Sequence, residues 1–174
     1  MSPTDPILAL KDVRFRWPGR ASFALSVPDF AITAGETVLL GESGSGKSTL
    51  LSLICGTVAA DDGNVSVAGT DLARLSGGQR DRHRAEHIGM IFQQFNLLPF
   101  GSVTDNILLP LRFAPQRRAR VDDGRSAARA LCTALGLPDV ASQKAARLSV
   151  GQQQRVAVAR ALIGRPPVII ADEP

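Results

Sequence analysis

The stretch Gly41-Glu42-Ser43-Gly44-Ser45-Gly46-Lys47-Ser48-Thr49 constrains this chain more than any other. It fits G-x-x-x-x-G-K-[ST], a loop that wraps phosphate. Gly41, Gly44 and Gly46 allow backbone conformations that a Cβ forbids, so successive N–H groups can turn inward toward phosphate oxygens. Lys47 supplies positive charge for the terminal phosphates, and the Ser48 hydroxyl suits Mg²⁺. Such a loop joins a strand to a helix. The apolar run Thr37-Val38-Leu39-Leu40 predicts a buried strand entering it. Residues 50–55 predict a helix leaving it, whose N-terminus favours the anion. The plainer alternative, a Gly/Ser-rich turn, leaves those flanks unexplained.

Around this loop the chain alternates in type. Residues 7–15 predict a strand, and 17–20 a turn. Residues 23–32 predict a second strand region, broken by Pro28-Asp29. Residues 61–64 and 69–71 read as turns on either side of a strand at 65–68, and 80–86 as a short polar helix. Residues 88–92 predict a buried strand that runs into Gln93. Strands and helices in this order around a phosphate loop argue for a parallel α/β sheet. From Asn96 to about Arg147 the strand signals vanish. Helices are expected at 103–111, stopped by Pro110 and Pro115, at 126–135, and at 139–146, which makes a helical insertion. Ser149 caps a helix over 150–163, ended by Gly164 and Pro166-Pro167. Val168-Ile169-Ile170-Ala171 then predicts a buried strand that ends in Asp172-Glu173. Open α/β sheets bind ligands beyond the carboxyl ends of their strands. There Asp172 can hold Mg²⁺, and the adjacent Glu173 can orient or deprotonate an attacking water.

At 174 residues the chain is long enough for one domain with a core, and no apolar run nears the roughly 18 residues of a membrane span. Met1-Ser2-Pro3-Thr4-Asp5 lacks the basic-then-apolar layout of a signal peptide. Cys55 and Cys132 have no metal-ligand spacing and are expected to be reduced core residues of a cytosolic protein. The net charge of +4 is almost all arginine. It gathers at Arg80, Arg82 and Arg84 with His83 and His87, and again at Arg112, Arg117, Arg118, Arg120, Arg125 and Arg129. No aromatic residues interleave with either group to stack on bases, so both are expected to be solvated faces rather than nucleic-acid contacts. Trp17, beside a turn, is either a core residue or a platform for a purine.

Gly41–Thr49, Gln93, Leu148-Ser149-Val150-Gly151-Gln152-Gln153-Gln154-Arg155 and Val168–Pro174 together resemble the ATP-binding cassette (ABC) ATPase of membrane transporters, in the family's order along essentially the whole chain. The resemblance implies an α/β P-loop NTPase fold. A RecA-like parallel core sheet with antiparallel N-terminal strands would occupy 1–94 and 164–174, with a helical subdomain over about 95–163, all within one domain. It implies ATP as substrate and Mg²⁺ as cofactor. Gly41, Glu42, Ser43, Gly44, Ser45, Gly46, Lys47, Ser48 and Thr49 would hold phosphates, and Trp17 would stack on adenine. Ser48, Asp172 and Gln93 would face the metal, with Glu173 as general base and Gln93 also touching the attacking water. Ser149, Gly151 and Gln152 would meet the γ-phosphate bound to a second ATPase subunit. A transmembrane permease subunit is the implied partner, the chain itself would be cytoplasmic and peripheral on the inner face of the bacterial plasma membrane, and no nucleic acid is expected. Ile91–Pro99 and Ser102–Ile107 are similar to ATPases of the lipoprotein-releasing and macrolide-export type, while polar amino-acid importers carry similar stretches.

Three departures from the family pattern stand out. Val150 replaces the first glycine of Leu-Ser-Gly-Gly-Gln, which would limit backbone approach to phosphate. Leu75-Ser76-Gly77-Gly78-Gln79-Arg80 spells that consensus ahead of Gln93 and is expected to be a surface turn before a helix. The chain stops at Pro174, ahead of the loop aspartate and the histidine that the family places later. A polypeptide ending there would be C-terminally truncated and would turn over ATP poorly. That makes a non-catalytic nucleotide-binding fragment one alternative; a separate one is a soluble ABC protein acting on nucleic acid or ribosomes. The tandem cassettes, zinc modules and coiled-coil arms expected of the latter are missing from the sequence.

Overall fold

The computed structural model describes residues 5–19, 23–137 and 140–173. The chain forms two compact units that divide between Arg84 and Ala85. In the first, β1 (Leu8–Arg16), β2 (Ala24–Ile32), β3 (Asp62–Val67) and β4 (Thr70–Asp71) make an antiparallel sheet in the order β2-β1-β3-β4. Leu8, Leu10, Val13 and Phe15 of β1 are buried. Their period of two slips by one residue at Asp12, which has φ 52°, and the register with β3 shifts between Lys11 and Arg14. A bulge of this kind keeps both apolar pairs on one face. The expected break in the second strand is not there, because β2 runs through Pro28-Asp29 on the outer edge of the sheet, where a missing N–H costs no ladder bond. The expected turn at 61–64 also gives way, with Asp62, Gly63 and Asn64 entering β3. Then α1 (Lys47–Ile54) packs against β3 and buries Leu50, Leu53 and Ile54, and α2 (Gly77–His87) starts earlier than its polar run suggests.

The largest correction concerns residues 37–40. They form no strand; Val38 is 78% and Leu40 85% exposed. A strand exists by its ladder, and among the described residues none pairs with this segment. Apolar, β-prone composition predicts what such a segment does once an edge is offered to it, not that an edge is there.

In the second unit β5 (Ile88–Ile91) and β6 (Val168–Ala171) pair in parallel, as the alternating pattern predicts, with Ile91 opposite Ala171. β6 is buried only in part, since Ile170 is covered but Ile169 is 42% exposed. The helices are α3 (Val103–Leu108), α4 (Pro115–Ala119), α5 (Gly124–Ala134) and α6 (Val150–Leu162). Their shared core includes Val103, Ile107, Cys132, Leu137, Val156 and Ile163. Pro110 falls in a 3₁₀ turn (Leu109–Arg112) that shortens the first expected helix. Pro115 begins α4 instead of stopping a helix, because the first helical position needs no N–H. The Asp123 carboxylate accepts from the N–H groups of Arg125 and Ser126, so α5 begins ahead of Ser126.

The helix expected at 139–146 does not form; Asp139 lies outside the described residues, and only a 3₁₀ turn (Ala145–Arg147) is helical nearby. The reason is a competing use of its carbonyls. Ala141 and Gln143 accept from the N–H groups of Thr104 and Val103, which α3 leaves unpaired in its first turn.

Gly89 sets the approach of α6 to β5. A Cβ there would stand 2.3 Å from the Ala161 carbonyl oxygen and 2.6 Å from Ile169 Cδ1. Gly89→Ala is expected to destabilise by about 1–3 kcal/mol through forced displacement of helix or strand, read as a lower urea midpoint.

Candidate functional site

The phosphate loop lies in the first unit. Gly44 (φ 83°) and Gly46 (φ 98°) adopt left-handed conformations, and Gly46 is the residue from which α1 starts. Gly41 does not, and a Cβ there would meet within 3 Å only the rotatable hydroxyl of exposed Ser45, at 2.8 Å. Ser45 N–H donates to the Glu42 carbonyl at 3.2 Å and tightens the turn. Glu42, Ser43, Gly44 and Ser45 are exposed. Lys47 Nζ folds over its own loop and donates to the carbonyls of Gly41 at 2.7 Å and Glu42 at 2.8 Å. These carbonyls compensate the ammonium and are the contacts that phosphate oxygens would replace. Ser48 is exposed in the first turn of α1, and its carbonyl accepts from Ser52 Oγ. Thr49 is buried; its Oγ1 accepts from Trp17 Nε1 at 3.1 Å. The Trp17 ring meets Phe15 edge to face with centroids 5.1 Å apart, and it remains half-buried. Trp17 is thus pinned beside the start of the loop helix with part of its surface open.

The second unit carries the acidic group. The parallel register that sets Ile91 opposite Ala171, with Asp172 N–H donating to the Ile91 carbonyl at 3.0 Å, brings the chain beyond both strand ends together. Gln93 Nε2 donates to Glu173 Oε2 at 2.7 Å. Glu173 has φ 47°, a left-handed conformation that costs a non-glycine residue about 1–2 kcal/mol. Asp172 is half-buried. Among the described residues no cluster of three or more His, Cys, Asp or Glu forms a metal cage. In this unit the Asp172 carboxylate and the Gln93 amide oxygen are hard oxygen donors, few in number. That chemistry suits magnesium, which keeps waters and phosphate oxygens as its remaining ligands.

Ser149 opens α6 through a reciprocal cap: its Oγ accepts from Gln152 N–H at 3.3 Å, while Gln152 Oε1 accepts from Ser149 N–H at 2.9 Å. Gly151 has open space where a side chain would go. Val150 lies in regular helix and is 71% exposed, so its backbone position makes no demand for glycine. The same cap recurs at Ser76 and Gln79, at 2.8 and 3.4 Å, after a 3₁₀ turn (Leu72–Arg74) and ahead of α2. Of the second Leu-Ser-Gly-Gly-Gln only Leu75 and Ser76 precede the helix; Gly77, Gly78, Gln79 and Arg80 form its first turn instead of the expected surface turn ahead of it. The motif's local role in both places is to start a helix.

Three polar residues escaped the sequence reading. Arg117 is 1% exposed, which removes it from the solvated face predicted for its cluster. Asn106 is fully buried and bonds both backbone groups of Leu98. Arg160 is 7% exposed and reaches the carbonyls of Phe95 and Asn96. A signal for Arg160 was available, since it falls on the helical stripe of Val156 and Ile163, where a lone charge demands partners.

A family model described as ABC transporter matches residues 25–174. The lipoprotein-releasing system ATP-binding protein LolD of Novosphingobium aromaticivorans is 41% identical over 174 residues, covering 98% of this chain and 76% of that protein. The macrolide export ATP-binding/permease protein MacB of Burkholderia pseudomallei is 40% identical over 98% of this chain, which spans 26% of its length. Among solved structures, the dimeric post-hydrolysis state of the ATP-binding cassette MJ0796 bound to ADP and Pi matches with TM-score 0.74 and 31% identity, over 95% of this chain and 73% of that one.

Proposed function

The chain belongs to the ABC transporter family, and from that premise we propose that it is the ATP-binding component of a transporter, hydrolysing ATP to drive a membrane partner. The observation that carries this reading is the Gln93–Glu173 hydrogen bond at the carboxyl ends of the parallel strands. It supports Glu173 as the base that takes a proton from an attacking water and Gln93 as the residue that orients it. Lys47 and the N–H groups of residues 41–49 bind the phosphates. Trp17 stacks its open face on adenine. Ser48 in the first unit, and Asp172 and Gln93 in the second, are the oxygen donors that would hold magnesium, which would neutralise charge on the phosphate oxygens. Ser149, Gly151 and Gln152 present the start of α6 to the γ-phosphate of a second copy, a reading supported by the dimeric cassette to which this chain is similar. The partner is a transmembrane permease, and this chain docks on it at the inner face of the bacterial plasma membrane; among the described residues no helix is long and apolar enough to cross a membrane itself. The relatives named for lipoprotein release and macrolide export support an export-type system.

The test is Mg·ATP binding and phosphate release by the native polypeptide and by Lys47→Ala. Losing one charge-assisted contact is expected to weaken binding about tenfold to a hundredfold. Equal affinity in the two proteins, or no ATP binding by the native one, would sink the reading.

A further inference from the structure

Arg160 sits near the end of α6 with 7% of its surface exposed. Among the described residues no salt bridge compensates it, and burial pulls its guanidinium below its ordinary pKa. Its partners are two successive carbonyls: Nη1 donates to Asn96 at 2.6 Å and Nη2 to Phe95 at 2.6 Å. Both acceptors belong to residues in the left-handed region, Phe95 at φ 56° and Asn96 at φ 46°. Asparagine tolerates that region, but phenylalanine is an outlier there. The turn is tight, with Phe95 N–H donating to the Phe92 carbonyl and Asn96 N–H to that of Gln94. Two residues of like handedness in succession turn their carbonyls to one side, which matches the forked donors of a guanidinium and not the single point of an ammonium. Immediately ahead of this turn Gln93 holds Glu173.

We propose that Arg160 is a positioning residue for ATP hydrolysis: from α6 it holds the Phe95–Asn96 turn in its left-handed form and thereby keeps Gln93 on Glu173. A continuous path then runs from the cap at Ser149, along one rigid helix, through Arg160 and the turn, to the carboxylate. The inference rests on the ATPase reading of Glu173 for its effect on rate, but not for its effect on the turn.

The experiment therefore uses two readouts on the native polypeptide, Arg160→Lys and Arg160→Met. Amide hydrogen exchange without nucleotide is expected to quicken about tenfold or more across residues 93–97 in Arg160→Met, less in Arg160→Lys, with α3 and α5 unchanged. Steady-state hydrolysis is expected to lose about tenfold to a hundredfold in kcat while KM for ATP stays within about twofold. In a Gln93→Ala background the Arg160→Lys change is expected to cost nothing further, because the path is already cut. If Arg160→Met does not fold, the lysine variant carries all three measurements. Unchanged exchange at 93–97 overturns the proposal, as does faster exchange with native kcat, or an undiminished Arg160→Lys effect in the Gln93→Ala background. A native polypeptide that hydrolyses no ATP overturns the ATPase reading instead, and the exchange arm still decides whether Arg160 holds the turn.

Discussion

Glu173→Gln is expected to bind ATP as tightly as the native protein and to hydrolyse it about 10²–10⁴ times more slowly, the range that a general base contributes. The substitution is nearly isosteric, and the Gln93 amide at 2.7 Å from Glu173 Oε2 needs only an acceptor oxygen, which glutamine retains. What disappears is the ability to take a proton. Binding is left alone because the phosphate contacts assigned to Lys47 and its loop are made by other residues. Glu173→Asp separates base strength from reach. It keeps a carboxylate but draws it back by one methylene, away from Gln93, so an intermediate rate is expected. Phosphate release measures turnover, and size-exclusion chromatography with Mg·ATP measures ATP-stabilised association of two copies, which the slow variant prolongs. A Glu173→Gln protein that turns over within about twofold of native would show that the proton goes elsewhere.

The parts of this site that were legible in the sequence are those whose chemistry is local. A glycine that must take φ 98° is visible as Gly46, and a serine that must cap a helix is visible as Ser149 followed by Gln152. The capping box also explains why the second Leu-Ser-Gly-Gly-Gln could mislead, since identical residues build an identical helix start wherever they stand. The position of Asp172 and Glu173 just past a short strand was legible because the apolar run that makes the strand is local. The parts that failed depend on partners distant in sequence. Residues 37–40 have strand composition without a ladder. Pro28 is harmless because β2 is an edge, a property of sheet order and not of the segment. The bulge at Asp12 is visible afterwards as the slip from Leu8 and Leu10 to Val13 and Phe15. In the helical region the arginine cluster suggested a wet face, whereas Arg117 donates to backbone that helix and strand ends leave unpaired; Arg160, outside that cluster, donates to the carbonyls of a turn.

Arg117→Met is expected to cost about 3–5 kcal/mol of stability, the penalty for leaving buried polar groups and a buried charge uncompensated. Arg117 Nε and Nη2 donate to the Ile163 carbonyl and Nη2 also to Ala161, where α6 ends. Nη1 donates to Ala85 at 3.1 Å and Ile88 at 3.4 Å, where α2 passes into β5. The neighbouring carboxylate of Glu86, 4% exposed, accepts from the backbone N–H groups of Gln116 and Arg117 at 3.0 Å each. Burial pushes the guanidinium down to about 10 against the opposing pull of Glu86, so it stays charged at neutral pH. The Arg117 side chain thus closes the end of α6 and the start of β5, while Glu86 closes the first turn of α4. Methionine fills a similar volume and donates nothing, so the loss reports hydrogen bonding more than packing. Arg117→Lys keeps the charge near Glu86 but reaches fewer carbonyls, and recovery of part of the loss is expected. Because Gly89 sets the same α6–β5 junction, Gly89→Ala combined with Arg117→Met is expected to be non-additive, as neighbours sharing a backbone shift are. Urea unfolding of the four proteins decides it. A loss below about 1 kcal/mol in Arg117→Met would mean that the carbonyls find other donors and that Arg117 does not hold the junction.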